Sequence, residues 1–459
     1  MKRRKILSFV LALALTLSLC AAPALAVRFT DAHGNVIELD DSLEAYTQTA
    51  LSGANDAARK GETNLGDLWT DALRWFAVSG KINAYFDEDD VKAGNTKLAV
   101  DADHTVALWN GGNLRADIPA GTFGAEELAQ VLPYPNKVAV VYMTGAQLLE
   151  ALEAASQGLP YTEGSAAAAA SFMQVSGLSY TVRAYKSFDR GEVYKDPWYK
   201  AKSVQRVSIE SVNGKAFDAQ ATYAVITSNA NYNGMDSSYV FKAAAEEQEK
   251  SAVTTAVVRD VVWMYLAEKL SNVVGSEYAQ PQGRILVLDN PFRDIRSDAW
   301  CVEPVSYMLA KGYMKGTSAT TFTPNATMTR AQAVVVLYRI AGSPAVKTEG
   351  TKWYAAAAQW AADQGIFTSA DLDGAVTREE LAVMLYRYEI ARGGDVRVGE
   401  DTNILSYKDA DQVTESAIPA IQWACGAGIL RGDTSGALKP AASATRAHMA
   451  ALFARFCQR

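Results

Sequence analysis

Cysteine and histidine are both scarce in this chain, which has four cysteines and three histidines among its 459 residues. Cys20 lies in an apolar segment near the N-terminus, and Cys301, Cys425 and Cys457 all lie in the last third. An odd and widely spaced set of this kind does not make a disulfide framework. We therefore expect these last three cysteines to be small buried side chains.

A concentrated basic face is also missing, because the formal net charge is -7. General nucleic-acid binding is excluded on this ground, since phosphate contacts need clustered lysines and arginines. Beyond the N-terminal segment, no run reaches the roughly 18 apolar residues of a membrane span. The apolar content of 49% and the charged content of 21% are ordinary for globular protein, and the length allows two or three domains.

The N-terminus has the pattern of a secretory signal peptide. Basic residues at positions 2–5 precede the apolar run 6–19, and Ala24-Leu25-Ala26 supplies a small-residue cleavage site. We expect cleavage after Ala26, which makes the protein a secreted one. A lipoprotein attached through Cys20 is the alternative, but Leu19 is bulkier than the residue that usually precedes such a cysteine.

The most informative stretch is Trp109–Gly121, with the sequence WNGGNLRADIPAG. Gly111 and Gly112 allow a close approach of the backbone to a ligand. Arg115 adds a planar fork of donors that suits phosphate or carboxylate. A tight turn after a strand, with a solvated arginine, explains the same residues on turn statistics alone.

Four further blocks accompany this loop in a fixed order. They are ETNLGDLWTDALRW (62–75), LPYPNKVAVVYMTGAQLLEALE (132–153), FMQVSGLSYTV (172–182) and YAVITSNANYNGMD (223–236). Together they resemble the C-terminal, substrate-binding domain of the 5'-nucleotidase and UDP-sugar hydrolase family. The resemblance covers about residues 40 to 289, and it assigns residues 27–289 to one domain.

Residues 27–289 have the pattern of a mixed α/β domain. The spacing of Leu68, Ala72 and Phe76 predicts an amphipathic helix that ends at Val78, and a long helix is predicted over Ala252–Leu270. Buried strands are predicted over residues 138–143, 178–183 and 223–227, with a hairpin turn at 213–214. The resemblance implies a four-layer α/β/β/α arrangement, which periodicity alone does not indicate.

The resemblance also implies a substrate site. In the family, the positions of Asn110 and Arg115 contact the phosphate end of the substrate, Phe172 is one of two aromatics around the base, and Asp236 accepts from ribose hydroxyls. The second aromatic is lost at its usual position, and Tyr232 is a substitute two residues on. The alternative is that Phe172 belongs to the core and that Asn110 and Arg115 are loop scaffold.

Full-length members of this family are two-metal phosphoesterases whose His, Asp and Asn ligands lie in a separate metal domain. Here His33, His104 and His448 lie in no such motif, and no room for that domain remains after the signal peptide. We therefore expect no cofactor and no hydrolysis by this chain alone, with a nucleotide, nucleoside or UDP-sugar as the ligand. The alternatives are a subunit completed by a separate metallophosphatase chain, and a structural S-layer protein with a vestigial domain.

From position 290 the chain becomes helical and repeats with a period of about 50 to 60 residues. The copies, at 290–345, 346–395 and 404–459, resemble S-layer homology repeats, and a polar linker separates the last two. This implies an all-α, pseudo-threefold domain. It also implies attachment to the cell wall or S-layer of a Gram-positive-type envelope.

Each copy has a Thr-Arg pair at the predicted start of its second helix. The threonine takes the cap position, so the arginine lies beside exposed backbone N–H groups, and such a helix start favours an anion. The resemblance implies that the anion is a pyruvylated sugar of a secondary cell-wall polymer. The predicted polymer-binding residues are Arg330, Arg378, Arg446, Asp294 and Asp409.

Two tryptophan patterns complete the prediction for the repeats. Trp300, Trp360 and Trp423 are taken as equivalent positions, which we expect in the core of the bundle rather than stacked on sugars. The second copy has Trp353 and Tyr354 where an acidic residue is expected. We therefore expect the groove of the second copy to contribute least.

Overall fold

The computed structural model describes residues 27–30, 36–39, 44–54, 56–95, 97–399 and 402–459. The signal peptide and its cleavage site lie outside the described residues. The chain divides into two compact units, one formed by residues up to Thr181 with Phe188–Ile285, and the other by Val182–Ser187 with Leu286–Arg459. In the part of the chain that the structure describes, no helix has both the length and the apolar character needed to cross a membrane.

The strands follow the chain in this order: β1 Val27–Thr30, β2 Val36–Leu39, β3 Ala45–Thr47, β4 Thr105–Asn110, β5 Gly121–Phe123, β6 Lys137–Thr144, β7 Met173–Ser176, β8 Leu178–Arg183, β9 Arg190–Lys195, β10 Trp198–Ala201, β11 Val207–Val212, β12 Lys215–Ala216, β13 Thr222–Ser228, β14 Ala252–Val257, β15 Val273–Val274 and β16 Ile285–Leu288.

The helices are α1 Asp56–Lys60, α2 Asn64–Val78, α3 Glu88–Lys92, α4 Ala125–Val131, α5 Gly145–Ala155, α6 Ala166–Ala169, α7 Asn229–Tyr232, α8 Tyr239–Glu247, α9 Val258–Met264, α10 Val302–Ala310, α11 Arg330–Ile340, α12 Ala355–Asp363, α13 Arg378–Ala391, α14 Ile418–Gly426 and α15 Arg446–Cys457.

The central sheet of the first unit has the strand order β14-β6-β13-β4-β7. β6 pairs antiparallel with β13 and β14, while β13 and β4 are parallel. Val225 in the middle strand lies opposite Val141 on one side and Val106 on the other. All six residues of β4 are buried. β6 and β13 are likewise buried along most of their length, as expected where both faces of a sheet are covered.

Helix α2 covers one face of this sheet, and its start is set by a local cap. Thr63 Oγ1 accepts a hydrogen bond of 3.0 Å from the backbone N–H of Gly66, which satisfies one of the open N–H groups of the first turn. The predicted apolar face is confirmed, because Leu68, Ala72 and Phe76 are all buried in one cluster. The helix begins four residues before the predicted Leu68.

The prediction of one long helix over residues 252–270 is wrong. Residues 252–257 form β14, which pairs antiparallel with β6 through Ala252 opposite Val140. Helix α9 begins only at Val258 and gives way to a π-helical turn at Tyr265. The sequence AVTTAV is rich in β-branched residues, and an available edge of the central sheet makes the extended form the favoured one.

Smaller sheets are also present. One has the strand order β12-β11-β8-β16, and another has the order β15-β3-β5. The predicted hairpin turn at Asn213-Gly214 is confirmed, since both residues are left-handed, with φ of 49° and 77°. The mixed α/β class of the first unit is therefore confirmed.

The second unit contains three helix pairs, α10/α11, α12/α13 and α14/α15, which confirms its helical class. The segments that lead into the second helix of each pair meet in a closed ring of backbone hydrogen bonds. Met328 N–H donates to Ala444 O (3.0 Å), Ala444 to Val376 O (2.8 Å), and Val376 to Met328 O (3.0 Å). Each pair thus supplies one donor and one acceptor, and this gives the unit its pseudo-threefold character.

The three pairs differ in the connection between their helices. It has 19 residues in the first and third pairs, 311–329 and 427–445, but only 14 in the second, 364–377. The three cysteines of the last third are free. Cys301 is buried, as predicted, while Cys425 and Cys457 are partly buried.

Candidate functional site

The paired glycines of the central loop are needed for protein packing. A Cβ at Gly111 would lie 1.9 Å from the carbonyl oxygen of Ala58, and one at Gly112 would lie 2.6 Å from that of Ala170. Neither glycine is among the residues with positive φ. The expectation that they bring backbone close to a ligand is therefore wrong, because helix α1 and the end of the α6 segment occupy that space.

Arg115, in the same loop, has an exposed side chain. Its guanidinium carbon lies 6.0 Å from the centre of the Tyr134 ring, within the range of a cation–π contact. Tyr134 is 51% exposed. A cation and an aromatic face are therefore presented together at this surface, in an arrangement that suits an anionic ligand with a flat apolar part.

Asp236 faces the same group of cations. Burial raises the pKa of this carboxyl, and Lys195, Arg115 and Arg59 oppose the shift. The backbone of Asp236 is left-handed, with φ of 54°, a conformation that Asp tolerates better than most residues. Three cations from three separate elements thus act on one carboxylate.

The five predicted substrate residues do not all meet at this point. Phe172 is only 1% exposed, and its ring centre lies 6.4 Å from that of Tyr180 in the interior. Asn110 is buried too, and its Oδ1 accepts from Asn113 Nδ2 at 2.9 Å. Both residues are inaccessible, which favours the alternative that they belong to the core and the loop scaffold.

Tyr232 also turns away from the cation group. Its hydroxyl donates to the carbonyl of Ser251 at 3.4 Å, and its charged neighbours are Asp90 and Glu246. Burial raises the pKa of this phenol. Of the predicted set, Arg115 and Asp236 are therefore the two that the fold brings together.

Sequence reasoning missed three members of this cluster, namely Tyr134, Lys195 and Arg59. Tyr134 stands in the quoted block LPYPNKV, so the proline on each side of it was an available signal for an exposed loop. Lys195 lies at the end of β9, about 80 residues from Arg115 in sequence, and no local pattern connects them. The Nε of Arg59 is buried and has no acceptor among the described residues.

The metal ions of the family have no fitting ligand set in the part of the chain that the structure describes. No group of three or more His, Cys, Asp or Glu side chains there is placed to hold an ion. His104 instead contacts Asp101, with 2.7 Å between Nδ1 and Oδ1. We therefore derive no metal-dependent step for this chain.

In the second unit, the three Thr-Arg arginines reach from one helix pair to the next. Arg446 donates from Nε to Phe322 O (2.7 Å), and Arg378 donates from Nε to Leu438 O (2.8 Å). These two side chains are held by carbonyl oxygens. The third arginine, Arg330, has a carboxylate as its partner.

The predicted open helix starts are occupied by protein. The first N–H of each second helix donates to a carbonyl of the neighbouring repeat: Arg330 to Gly374 O, Arg378 to Ala442 O, and Arg446 to Ala326 O, at 2.9–3.0 Å. The second N–H groups are likewise bonded across repeats, and the third is capped by the threonine. The expectation of exposed N–H groups is therefore wrong, because closing the ring of repeats uses them.

The predicted threonine caps are confirmed, and in the first two repeats they are full capping boxes, formed by Thr329 with Gln332 and Thr377 with Glu380. In the third, His448 occupies the position of the Gln or Glu, and its Nδ1 accepts from Thr445 N–H at 3.5 Å. Burial, together with Arg378 and Lys439, lowers the pKa of His448, which keeps the imidazole neutral and able to accept. The third helix therefore keeps a weaker form of the box.

The two predicted aspartates hold loops of their own repeats. Asp294 accepts from Phe322 N–H and Thr323 N–H, and Asp409 accepts from Leu438 N–H and Lys439 N–H, all at 2.6–3.2 Å. Thr323 and Lys439 have left-handed backbones, with φ of 56° and 53°. Each carboxylate therefore stabilises a strained turn.

The tryptophan alignment made from sequence is wrong for Trp300. Trp360 and Trp423 each lie five residues beyond the start of their helices and are buried, as expected for the core. Trp300 precedes its helix by two residues and is 61% exposed. Its counterpart in the second repeat is Trp353, 66% exposed, and this residue does not correspond to the acidic position.

These two exposed tryptophans line two grooves of the same construction. The first has a volume of about 490 Å³, and its lining includes Trp300, Arg378, Arg431, Lys439, His448 and Arg455. The second has a volume of about 150 Å³, and its lining includes Trp353, Arg446, Lys315, Gln332 and Arg339. In both grooves an exposed indole faces several cations, which suits an anionic sugar.

The third repeat differs at the position equivalent to Trp300 and Trp353. Ser416 stands two residues before α14, where the other repeats have tryptophan. Arg330 corresponds here to Arg378 and Arg446 of the two grooves. Its charge is neutralised by two carboxylates, with 2.8 Å from Nε to Glu380 Oε1 and 3.2 Å from Nη1 to Asp371 Oδ2. Asp371 lies in the shorter connection of the second repeat, and Glu380 is the capping-box residue in the first turn of helix α13, where the other two repeats have Gln332 and His448.

Comparisons with known families agree with this division. The family description "5'-nucleotidase, C-terminal domain" matches residues 44–246. The description "S-layer homology domain" matches residues 291–334 and 406–450. The match to the first and third helix pairs, which share the longer connection, fits the structural difference of the second.

Two curated relatives are similar to parts of the chain. The trifunctional nucleotide phosphoesterase protein YfkN of Bacillus subtilis is 29% identical over 260 residues, 56% of this chain and 14% of that protein. Cell wall protein Lmo0130 of Listeria monocytogenes is 28% identical over 198 residues, 41% of this chain and 20% of that protein. The chain therefore spans only a small part of these relatives.

Among solved structures, the 5'-nucleotidase precursor of Thermus thermophilus is 28% identical, with a TM-score of 0.38, and the similarity covers 53% of this chain and 39% of that one. The family matches cover the two regions that carry the clusters described above. The chain thus contains a C-terminal domain of the 5'-nucleotidase family at residues 44–246, together with S-layer homology domains at 291–334 and 406–450.

Proposed function

We propose that this protein is held at the cell surface by its second unit, which binds an anionic wall polysaccharide in the Trp300 and Trp353 grooves. The repetition of one groove on two helix pairs supports this most directly. A sugar ring can stack on the exposed indole, while its carboxylate or phosphate meets the arginines. A pyruvylated glycan of the wall has both features.

Residues 346–395 are part of this proposal as a further S-layer homology repeat. They supply a helix pair, a Thr-Arg capping box and one member of the central ring of hydrogen bonds, all in the same positions as their neighbours. Trp353 comes from this segment. The second groove therefore depends on it.

The test is a pull-down of the full chain with purified cell walls. Trp300→Ala with Trp353→Ala is expected to reduce binding at least tenfold, because two grooves on one chain act together. Leu405→Ala removes an exposed apolar side chain that lines neither groove, and it serves as the control. Undiminished binding by the double variant, or to walls stripped of pyruvyl groups, would overturn the proposal.

A second function is favoured by the cluster in the first unit. We infer that Arg115, Tyr134 and Asp236 bind a nucleotide or a related phosphorylated ligand. The contact between an exposed aromatic face and an exposed guanidinium supports this, as does the similarity to a nucleotide phosphoesterase. Calorimetry of the full chain with AMP tests it, and the absence of measurable heat at millimolar AMP would count against it.

A further inference from the structure

The hairpin β9/β10 is fastened to the body of the first unit next to the Arg115–Asp236 cluster. Tyr194 Oη and Lys195 Nζ both donate to the carbonyl of Gly234, at 2.9 Å and 2.7 Å. The other strand is held too, since the N–H of Ala201 donates to Tyr239 Oη at 2.9 Å. Gly234 lies two residues before Asp236, so these contacts fix Lys195 beside that carboxylate.

Lys195 is exposed, and its charge has no ion-pair partner. Among the described residues no carboxylate oxygen lies within 4.0 Å of its ammonium group, and the bond to Gly234 uses one of its three N–H donors. Lys200 on the same hairpin is different, because it forms an ion pair with Glu192. Lys195 therefore carries a positive charge at a defined position, and it forms no direct ion pair among the described residues.

The surrounding charges add to this effect. Lys195, Arg115 and Arg59 give three positive charges against the two carboxylates that they act on, Asp236 and Asp56, in a chain whose net charge is -7. A cluster of this sign attracts an anion, and a dianionic phosphate more strongly than a neutral hydroxyl. The central loop supplies Arg115 and helix α1 supplies Arg59, and the hairpin adds Lys195 as the third cation.

We propose that Lys195 binds the phosphate of the ligand at the Arg115–Asp236 cluster, and that it makes this site select phosphorylated over unphosphorylated compounds. The proposal rests on the inferred nucleotide binding and assigns its charge selectivity to one residue of the hairpin. Lys195 acts as a point charge on a flexible stem, held in place by Gly234 and by the Tyr194 ring at 4.9 Å.

The experiment compares AMP, adenosine and inorganic pyrophosphate by calorimetry, with the full chain at low salt, where charge contacts are least screened. Lys195→Ala is expected to weaken AMP and pyrophosphate about tenfold and to leave adenosine unchanged. Lys195→Arg is expected to keep AMP affinity within about threefold. Lys200→Ala is the matched control on the same hairpin, with no expected change.

Each other outcome has a definite meaning. Equal AMP affinity in wild type and Lys195→Ala overturns the role of Lys195 and leaves nucleotide binding intact. An equal loss for AMP and adenosine also overturns it, since that pattern means a displaced hairpin. Pyrophosphate binding that depends on Lys195, without any AMP binding, supports Lys195 and overturns only the nucleotide proposal. Binding of none of the three by wild type overturns both.

Discussion

The guanidinium of Arg330 donates from Nε to Oε1 of Glu380 at 2.8 Å, which joins the first helix pair to the second through an ion pair. At the equivalent joins, Arg378 and Arg446 donate to carbonyl oxygens. An arginine paired with a carboxylate has lost most of its attraction for an external anion. The three arginines therefore make equivalent contacts between neighbouring helix pairs, but only Arg330 has a charged acceptor for its Nε.

Binding to cell walls should therefore depend on Arg378 and Arg446 more than on Arg330. Arg378→Gln with Arg446→Gln removes two charges while leaving an amide donor for the carbonyls, and we expect a fall in wall binding of tenfold or more. Each charge-assisted contact of this kind contributes about 1.5–3 kcal/mol. Arg330→Gln is expected to have little effect. The sequence alone suggested instead that Arg378, in the second copy, contributes least and that Arg330 and Arg446 contribute most.

The measurement is a cell-wall pull-down of the two full-length variants beside wild type, with thermal melting to confirm that each is folded. Arg330→Gln serves as the matched control, because it changes the same residue type at an equivalent join. A loss of binding by Arg330→Gln as large as that of the double variant would contradict the assignment.

Tyr134 and Phe172 should respond to alanine in opposite ways. Tyr134→Ala is expected to lower AMP affinity by about 1–3 kcal/mol, the usual contribution of base stacking, and to leave stability nearly unchanged. Phe172→Ala is expected to cost about 3–5 kcal/mol of stability, because it opens a cavity in the core. Calorimetry and thermal melting separate the two effects, and a stable Phe172→Ala protein with weakened AMP binding would restore the base-stacking role of Phe172.

Gly111→Ala tests the close packing of the central loop. The added Cβ would meet the carbonyl of Ala58 at 1.9 Å, so the loop or helix α1 must move. We expect a loss of about 1–3 kcal/mol, seen as a fall in Tm of at least about 2 °C. Gly61→Ala is the control, because nothing lies within 4 Å of its added Cβ. Equal Tm values for the two variants would contradict this packing argument.

The stability of the first unit should fall as the pH rises. Burial raises the pKa of Asp67 to about 8, Glu62 acts in the same direction, and Arg284 opposes it. A carboxyl whose pKa is raised in the folded protein makes its full contribution to stability below its unfolded pKa, which is 3.8 here. That contribution is lost as the pH rises to about 8. The free energy of unfolding should therefore decrease across that window.

Asp67→Asn removes this titration and should flatten the dependence. Its amide oxygen can still accept from Gln282 N–H, which Asp67 Oδ2 does at 2.9 Å. Urea unfolding at pH 5, 6.5 and 8 measures the effect, with the exposed Asp298→Asn as a control. A variant whose unfolding midpoint falls with pH as steeply as that of wild type would show that Asp67 is not the group responsible.

The sequence by itself determined those elements whose causes are local. The apolar spacing in residues 68–76 specified a helix, and the Thr-Arg pairs specified capped helix starts, because each depends on residues within one or two turns. Asn213-Gly214 specified a hairpin turn, because both residues accept a left-handed backbone. The two domain families could also be recognised, since their blocks are contiguous stretches of sequence.

Only the tertiary structure decided which of these features face a ligand. Phe172 is buried and Tyr134 is exposed because of elements distant in sequence, so no local pattern separates them. Residues 252–257 form a strand because they pair with the edge of β6, whereas their sequence pattern predicted a helix. The helix starts of the repeats are closed, and Arg330 is neutralised, because the neighbouring repeat supplies the acceptors. Accessibility and charge are set between segments, and such relationships appear only once the chain has folded.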